Sequence, residues 1–177
     1  MLREGQQADL VTEQKSPNRY VNMRRRRPER RQILPDPVYN DKMVAKFVNY
    51  IMKCGKKGVA EKIFYGAMKK IKSRTKSEGL VIFQKAVENA SPSVEVKSRR
   101  IGGATYQVPI EVPRSRRFYL ASQWIIKAAQ AKSGRPMADN LASELISAAN
   151  GDGGAIKKKD DTHRMAEANK AFSHFRF

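Results

Sequence analysis

Acidic residues, cysteine and histidine are all scarce in this chain. Its 177 residues include 17 Asp and Glu against 36 Lys and Arg, one cysteine and two histidines. The single Cys54 excludes an intrachain disulfide. With only His163 and His174 beside it, a zinc cluster is short of ligands. No stretch approaches the ~18 consecutive apolar residues of a membrane-spanning helix. The opening MLREGQQADLVTEQK lacks the apolar run of a secretory signal, and its Glu4, Asp9 and Glu13 argue against a transit peptide. A Walker A loop, a dinucleotide fingerprint and a GxSxG elbow are missing too, so no catalytic residue, metal, cofactor or small-molecule substrate is expected. The expectation is a soluble, cytoplasmic chain that is not an enzyme.

What is present is positive charge, net +19. A field of that sign attracts polyanions and repels itself without one. Nucleic acid is the first partner to consider and an acidic membrane surface the second. The charge is unevenly spread. Residues 1–22 are polar and balanced, Arg3, Lys15 and Arg19 facing Glu4, Asp9 and Glu13, and read as a disordered extension. The segment MRRRRPERRQIL that follows holds six arginines (Arg24, Arg25, Arg26, Arg27, Arg30 and Arg31) and one glutamate. Self-repulsion and the lack of an apolar face make residues 23–36 a basic arm, disordered in isolation. Arginine without lysine favours phosphate contact, because guanidinium binds phosphate in bidentate fashion and stacks on bases.

Residues 37–177 read as one mainly α domain, a bundle of about six helices with a protruding β-hairpin. Met43, Val44, Phe47, Val48, Ile51 and Met52 form one apolar face, with Asn40 or Asp41 as cap and Gly55 as stop. Ala60, Ile63, Phe64, Ala67, Met68 and Ile71 form a second. Leu80, Val81, Phe83, Ala86 and Val87 form a third, ending before Ser91-Pro92. Helices resume near Pro113, with Leu120, Ala121, Trp124, Ile125, Ala128 and Ala129 inward. Another opens near Pro136 on Met137, Leu141, Ala142, Leu145, Ile146 and Ala149, and the run Asn150–Gly154 breaks it. A last helix is expected through KKKDDTHRMAEANKAF. Its Met165, Ala168, Phe172 and Phe175 would dock on the core, while His163, Glu167, Lys170 and His174 share another face.

Between these helices lies VEVKSRRIGGATYQVPIEV, residues 94–112, two β-prone runs around Gly102-Gly103. A two-residue turn would set Lys97 opposite Val108 and Glu95 opposite Ile110, leaving neither face apolar. A three-residue loop through Ala104 puts Val94, Val96, Val108, Ile110 and Val112 on one face and Lys97 and Arg99 on the other. That second register is the expectation here, since side-chain alternation fixes register where one face is buried. The tip would then carry cations outward, as a probe for a groove or a bent strand.

Three further features invite a site. Cys54 sits among Lys53, Lys56 and Lys57, which would favour a thiolate, but no base stands near it in sequence, and a structural role is expected. Asp160-Asp161 read as first-turn complements to a helix dipole rather than metal ligands. Arg116, Tyr119, Gln123, Lys127 and Gln130 recur at spacings of three and four, a polar stripe of the kind RNA surfaces use, or equally an ordinary solvated face.

Taken together, ILPDP (33–37), AKFVNYIM (45–52), GKK (55–57), VEVKSRRIGG (94–103), TYQVPIEV (105–112) and THRMAEANKAFSHFR (162–176) resemble the bacterial-type small-subunit ribosomal protein seven family. The resemblance runs from about Met23 to the C-terminus. It implies a helical fold with a protruding ribbon and primary binding to the three-prime major domain of small-subunit ribosomal RNA. It also implies nucleation of subunit-head assembly, and a place at the subunit interface near the exit site. There the partners would be exit-site transfer RNA, the messenger path and ribosomal proteins nine and eleven, in a bacterial or an organellar ribosome. By the same resemblance the RNA-facing groups are Arg24, Arg25, Arg26, Arg27, Arg30, Arg31, Lys56, Lys57, Lys97, Arg99, Arg100, Arg114, Arg116, Arg117 and Lys127. His163, Arg164, Lys170, His174 and Arg176 complete the set. A sequence-specific DNA-binding protein would show an isolated recognition helix and a dimer surface instead, and an RNA-processing enzyme would need a catalytic constellation.

Overall fold

The computed structural model describes residues 32–175. Six α-helices and one antiparallel hairpin follow in the order α1 (Lys42–Ile51), α2 (Lys57–Thr75), α3 (Gly79–Ala90), β1 (Val94–Ile101), β2 (Ala104–Glu111), α4 (Arg114–Ala131), α5 (Met137–Ala149) and α6 (Gly154–Ala168). A 3-10 helix, Lys170–Phe175, closes the chain. The mainly α bundle with one hairpin is thus observed. Among the described residues no helix is long and apolar enough to cross a membrane.

Each helix forms where an apolar stripe of helical period meets a boundary signal. Asp41 caps α1, its carboxylate accepting from the Met43 amide at 2.6 Å. The buried faces of α1 and α2 follow the periodicity except at Met43, which is exposed, and they meet α3 through three phenylalanines. Phe47, Phe64 and Phe83 are fully buried. Their centroids lie 5.0 Å apart for Phe47–Phe83, 5.4 Å for Phe64–Phe83 and 5.7 Å for Phe47–Phe64. Burying each such ring contributes on the order of 1.5–3 kcal/mol, so this trio welds three helices into one unit. Helix α5 runs through the middle, packed on α2, α3, α4 and α6. Small residues on its inward face, Ala142, Ala148 and Ala149 beside Leu141 and Leu145, permit that many neighbours.

Several expected faces are turned. Val81 is 56% exposed, because α3 buries Phe83, Ala86, Val87 and Ala90 instead. On α4 the buried residues are Ala121, Ser122, Ile125, Ile126 and Ala129; Trp124 packs half-buried against the core, and Gln123 of the polar stripe is half-buried too. Helix α6 begins at Gly154, so Asp160 and Asp161 lie beyond its first turn and do not complement its dipole. It also stops at Ala168, where Asn169 amide bonds and the 3-10 geometry take over. The helical period therefore fails beyond that point. Met165 and Ala168 are exposed, Ala155, Thr162 and Ala166 are the buried positions of α6, and Phe172 packs on Tyr106 of β2; the Phe175 side chain lies outside what the structure describes.

Three carboxylates are buried among the described residues, Asp36, Glu95 and Glu144, and two of them tie helices or their approaches together. Glu144 on α5 is fully enclosed, its Oε1 accepting from the Ala155 amide at 3.0 Å and its Oε2 lying 2.7 Å from the Lys132 ammonium. It caps α6 from a neighbouring helix. Gly153 turns the chain there at φ +102°, and a Cβ would stand 2.9 Å from Glu144 Oε1. Asp36 accepts from the Val38 and Tyr39 amides, both at 3.1 Å, and from the Tyr65 hydroxyl at 2.7 Å. Burial, then the bond it donates to Asp36, pushes the Tyr65 hydroxyl pKa well above its ordinary value. This contact fixes the start of the body on α2.

The ribbon's register differs from the expected one. Val94 pairs with Glu111, Glu95 with Ile110, Val96 with Pro109, Lys97 with Val108, Arg99 with Tyr106 and Ile101 with Ala104. The loop is the two-residue Gly102-Gly103 turn, with φ of +56° and +92°. Two consecutive positive φ values make the tight turn whose twist matches the strands, and glycine adopts them without a Cβ clash. Turn chemistry therefore overrides alternation. Val94 and Val96 fall on one face and Val108 and Ile110 on the other, in company with Lys97 and Arg99. The buried residues are Glu95, Val108, Pro109 and, just past β2, Val112. Both strands are edges, so Pro109 costs the ladder little.

Candidate nucleic-acid interface

The buried Glu95 is the pivot of the ribbon's base. Its Oε2 accepts from Arg116 Nε at 3.3 Å and Nη2 at 3.2 Å, and its Oε1 lies 3.4 Å from the Lys97 ammonium. A carboxylate inside an otherwise apolar base is tolerable because two cations answer it. The Arg116 guanidinium also stands 5.5 Å over the Tyr119 ring, and Tyr119 meets Tyr50 edge-on at 5.4 Å. Arg117, half-buried, donates from Nε to the Val112 carbonyl at 2.8 Å. The first turn of α4 thus carries Arg114, Arg116 and Arg117 with no acid among them. Cations there oppose the helix dipole, an arrangement that favours an incoming anion.

The other expected groups are distributed around this base. Lys97 and Arg99 share a ribbon face with Tyr106 and Val108, while Arg100 projects from the opposite face beside Thr105. Arg100, Arg114, Lys127, Arg164 and Lys170 are exposed and in no ion pair among the described residues. Lys57 pairs with Glu61 at 3.6 Å, and Lys56 lines a shallow groove with Lys53, Val59, Gln130 and Met137. Gln130 lies at the far end of α4, which is roughly 27 Å long at 1.5 Å per residue. Lys56 and Lys57 are therefore a second cationic locus rather than part of the ribbon's. Cys54 is exposed, at φ +53°, and no group of three or more potential metal ligands occurs among the described residues.

His163 makes a contact within the protein that its sequence did not suggest. The Ser93 amide donates to His163 Nε2 at 3.1 Å, which leaves the proton of the neutral ring on Nδ1. Burial and the nearby Lys159 lower its pKa below the ordinary 6.5, against a smaller opposing effect of Asp160. It is half-buried and joined to the ribbon's foot. His174 is exposed on the 3-10 helix. Arg24–Arg31 and Arg176 lie outside the described residues.

Glu95, Glu144 and Asp36 are the residues that reading the sequence missed. A signal existed for one of them: Glu144 interrupts the apolar stripe of Leu141, Ala142, Leu145 and Ala148. Glu95 and Asp36 gave none, since the partners that hold them to the helices, Arg116 and Tyr65, lie 21 and 29 residues away.

A family model described as Ribosomal protein S7p/S5e matches residues 23–170. The chain belongs to this family. A relative from Thermotoga neapolitana, a small ribosomal subunit protein uS7, is 60% identical over 155 residues, covering 88% of this chain and all of its own. Proteins of the same description from Salinibacter ruber and Rhizorhabdus wittichii are 60% and 56% identical, over 85% and 87% of this chain. Membership makes the chain a structural constituent of the small ribosomal subunit, not an enzyme. The resemblance seen in its motifs is thereby established, and so is the ribosome as its location.

Proposed function

We propose that this S7 family member is a primary binder of the three-prime major domain of small-subunit ribosomal RNA, nucleating the subunit head. In this reading it lies at the subunit interface near the exit site, touching transfer RNA and the messenger path beside ribosomal proteins nine and eleven. Residues 23–36 act as a basic arm and residues 37–177 as the folded RNA-binding body.

One observation carries the reading. The ribbon and the first turn of α4 gather Lys97, Arg99, Arg100, Arg114, Arg116 and Arg117 at one end of the bundle, and Glu95 is the acid that organises their base. RNA contacts of this kind are made to phosphates by arginine and lysine held on a rigid scaffold. Footprinting on fragments of small-subunit ribosomal RNA tests it. Wild-type protein is expected to protect one region of the three-prime major domain. The Lys97→Ala/Arg99→Ala/Arg100→Ala variant should lose part of that protection and about 0.7–0.9 of salt slope for each phosphate contact removed. Protection no better than that of an unrelated RNA overturns the proposal.

A further inference from the structure

A two-stranded hairpin is marginal on its own and must be held by something else. In this ribbon the enclosed residues all belong to its base: Glu95, Val108, Pro109 and, beyond the strand, Val112. Eight residues per strand give a projection of roughly 23 Å, and the outer half of it, from Ser98–Gln107 to the turn, stands beyond that support. Beyond the base, Tyr106 is half-buried, and its ring lies 5.1 Å from that of Phe172 on the 3-10 helix. Tyr106 is the ladder partner of Arg99. The contact therefore carries support outward by two rungs, from the Lys97–Val108 pair past Ser98–Gln107 to the pair that bears the next cation on that face.

Two other contacts come from different elements. Helix α6 holds the ribbon's foot through His163 and the Ser93 amide, and α4 holds it through Arg116 and Glu95. Neither reaches past the base. The C-terminal segment touches the outer half through Phe172, and it does so because α6 ends before Asn169 and the 3-10 helix packs on β2. An unbroken helix, as its sequence suggested, would have continued along the axis of α6 instead.

We infer that the 3-10 helix Lys170–Phe175 is a brace for the ribbon, with Phe172 as the positioning residue that fixes where Lys97, Arg99 and Arg100 are presented. Phe172 contributes to RNA affinity through the ribbon and makes no RNA contact of its own. The inference rests on the proposed RNA-binding role for the affinity readout, but the bracing itself is readable in the free protein. Pivoting a ribbon of this length by about 15° would move its tip roughly 6 Å, about one phosphate spacing, so a modest loss of bracing is enough to misplace the cations.

The test uses the full chain with Phe172→Ala, and Phe172→Tyr as the variant that restores an aromatic ring. Amide exchange across residues 97–107 in the free protein should quicken roughly three- to tenfold in Phe172→Ala, the range expected for loss of one aromatic pair. The thermal midpoint should stay near wild type, and Phe172→Tyr should exchange like wild type. On a three-prime major domain RNA fragment, Phe172→Ala should weaken binding by a similar factor in the wild-type background. It should add nothing in the Lys97→Ala/Arg99→Ala/Arg100→Ala background. Unchanged ribbon exchange in Phe172→Ala overturns the brace, whatever the RNA result. Additive affinity losses overturn the positioning role, since they would mean that Phe172 meets RNA directly. If the triple alanine variant itself binds like wild type, the ribbon's proposed contact with RNA fails, and ribbon exchange still decides the brace.

Discussion

At the scale of single residues, the groups that organise this molecule are buried carboxylates and one histidine. Glu144 joins α5 to the start of α6 by accepting the Ala155 amide, and Lys132 balances its charge. Glu144→Ala strands that amide in a closed site, which costs about 2–3 kcal/mol, or a fall of roughly 5–10 °C in thermal midpoint. Glu144→Gln keeps the acceptor and should cost about half as much. Equal losses in the two variants would locate the energy in the ion pair instead. His163 gives a pH signature. Its folded pKa is lowered, so the unfolded chain binds the proton more readily. Its contribution is therefore complete above pH 6.5 and is lost as pH falls below that value toward the lowered one. Thermal melts between pH 7 and 5 should fall more steeply for wild type than for His163→Gln, and parallel curves would refute the assignment. None of this was legible in the sequence. A histidine on a charged helix looks like an RNA contact, and the Ser93 amide that claims it lies 70 residues away.

At the scale of elements, legibility depended on how local the deciding interaction is. The faces of α1 and α2 followed from period alone, because each packs one stripe against one core. Val81 was misjudged, because α3 faces several neighbours and its buried arc is rotated, whereas Trp124 does pack half-buried against the core. The ribbon was misjudged for a sharper reason. Two registers one residue apart were open, and alternation favoured the wrong one. A Gly-Gly turn with two positive φ values settled it, and the cost of burying Glu95 was met by Arg116 from α4, which no strand-level pattern reveals. This makes the turn a register device. Replacing both Gly102 and Gly103 by alanine imposes roughly 1–2 kcal/mol of backbone strain at each position. Cross-strand proximity of Lys97 and Val108, measured by nuclear Overhauser contacts, should weaken or vanish while the helices melt near the wild-type temperature. Retention of that pairing at full strength would show that side-chain packing, not the turn, sets the register.

At the scale of the whole molecule, charge and fold divide the work. The bundle was readable as a helical domain from its stripes, and the family from its motifs, but the grouping of cations at one end of α4 and a second pair at the other needed the tertiary structure. The arm adds six arginines to a chain of net +19. Such a run chiefly meets phosphates and carries little base specificity. Deleting residues 24–31 should flatten the dependence of log affinity on log salt by up to about 4–5 units if each arginine meets one phosphate. The footprint of the body should stay in place. An unchanged slope would remove the arm from the RNA contact.

The bond between Asp36 and Tyr65 has a practical consequence for anyone who handles this protein. Asp36 ties the start of the described body to α2, so the anchor for anything attached upstream is a buried carboxylate rather than the phenylalanine trio or the ribbon. A fluorophore or affinity handle joined ahead of Met23, where the family match begins, is expected to leave the thermal midpoint of the body at the unlabelled value, and a lowered midpoint would refute this. For single-molecule work on subunit assembly, the N-terminal side is the place to attach the dye.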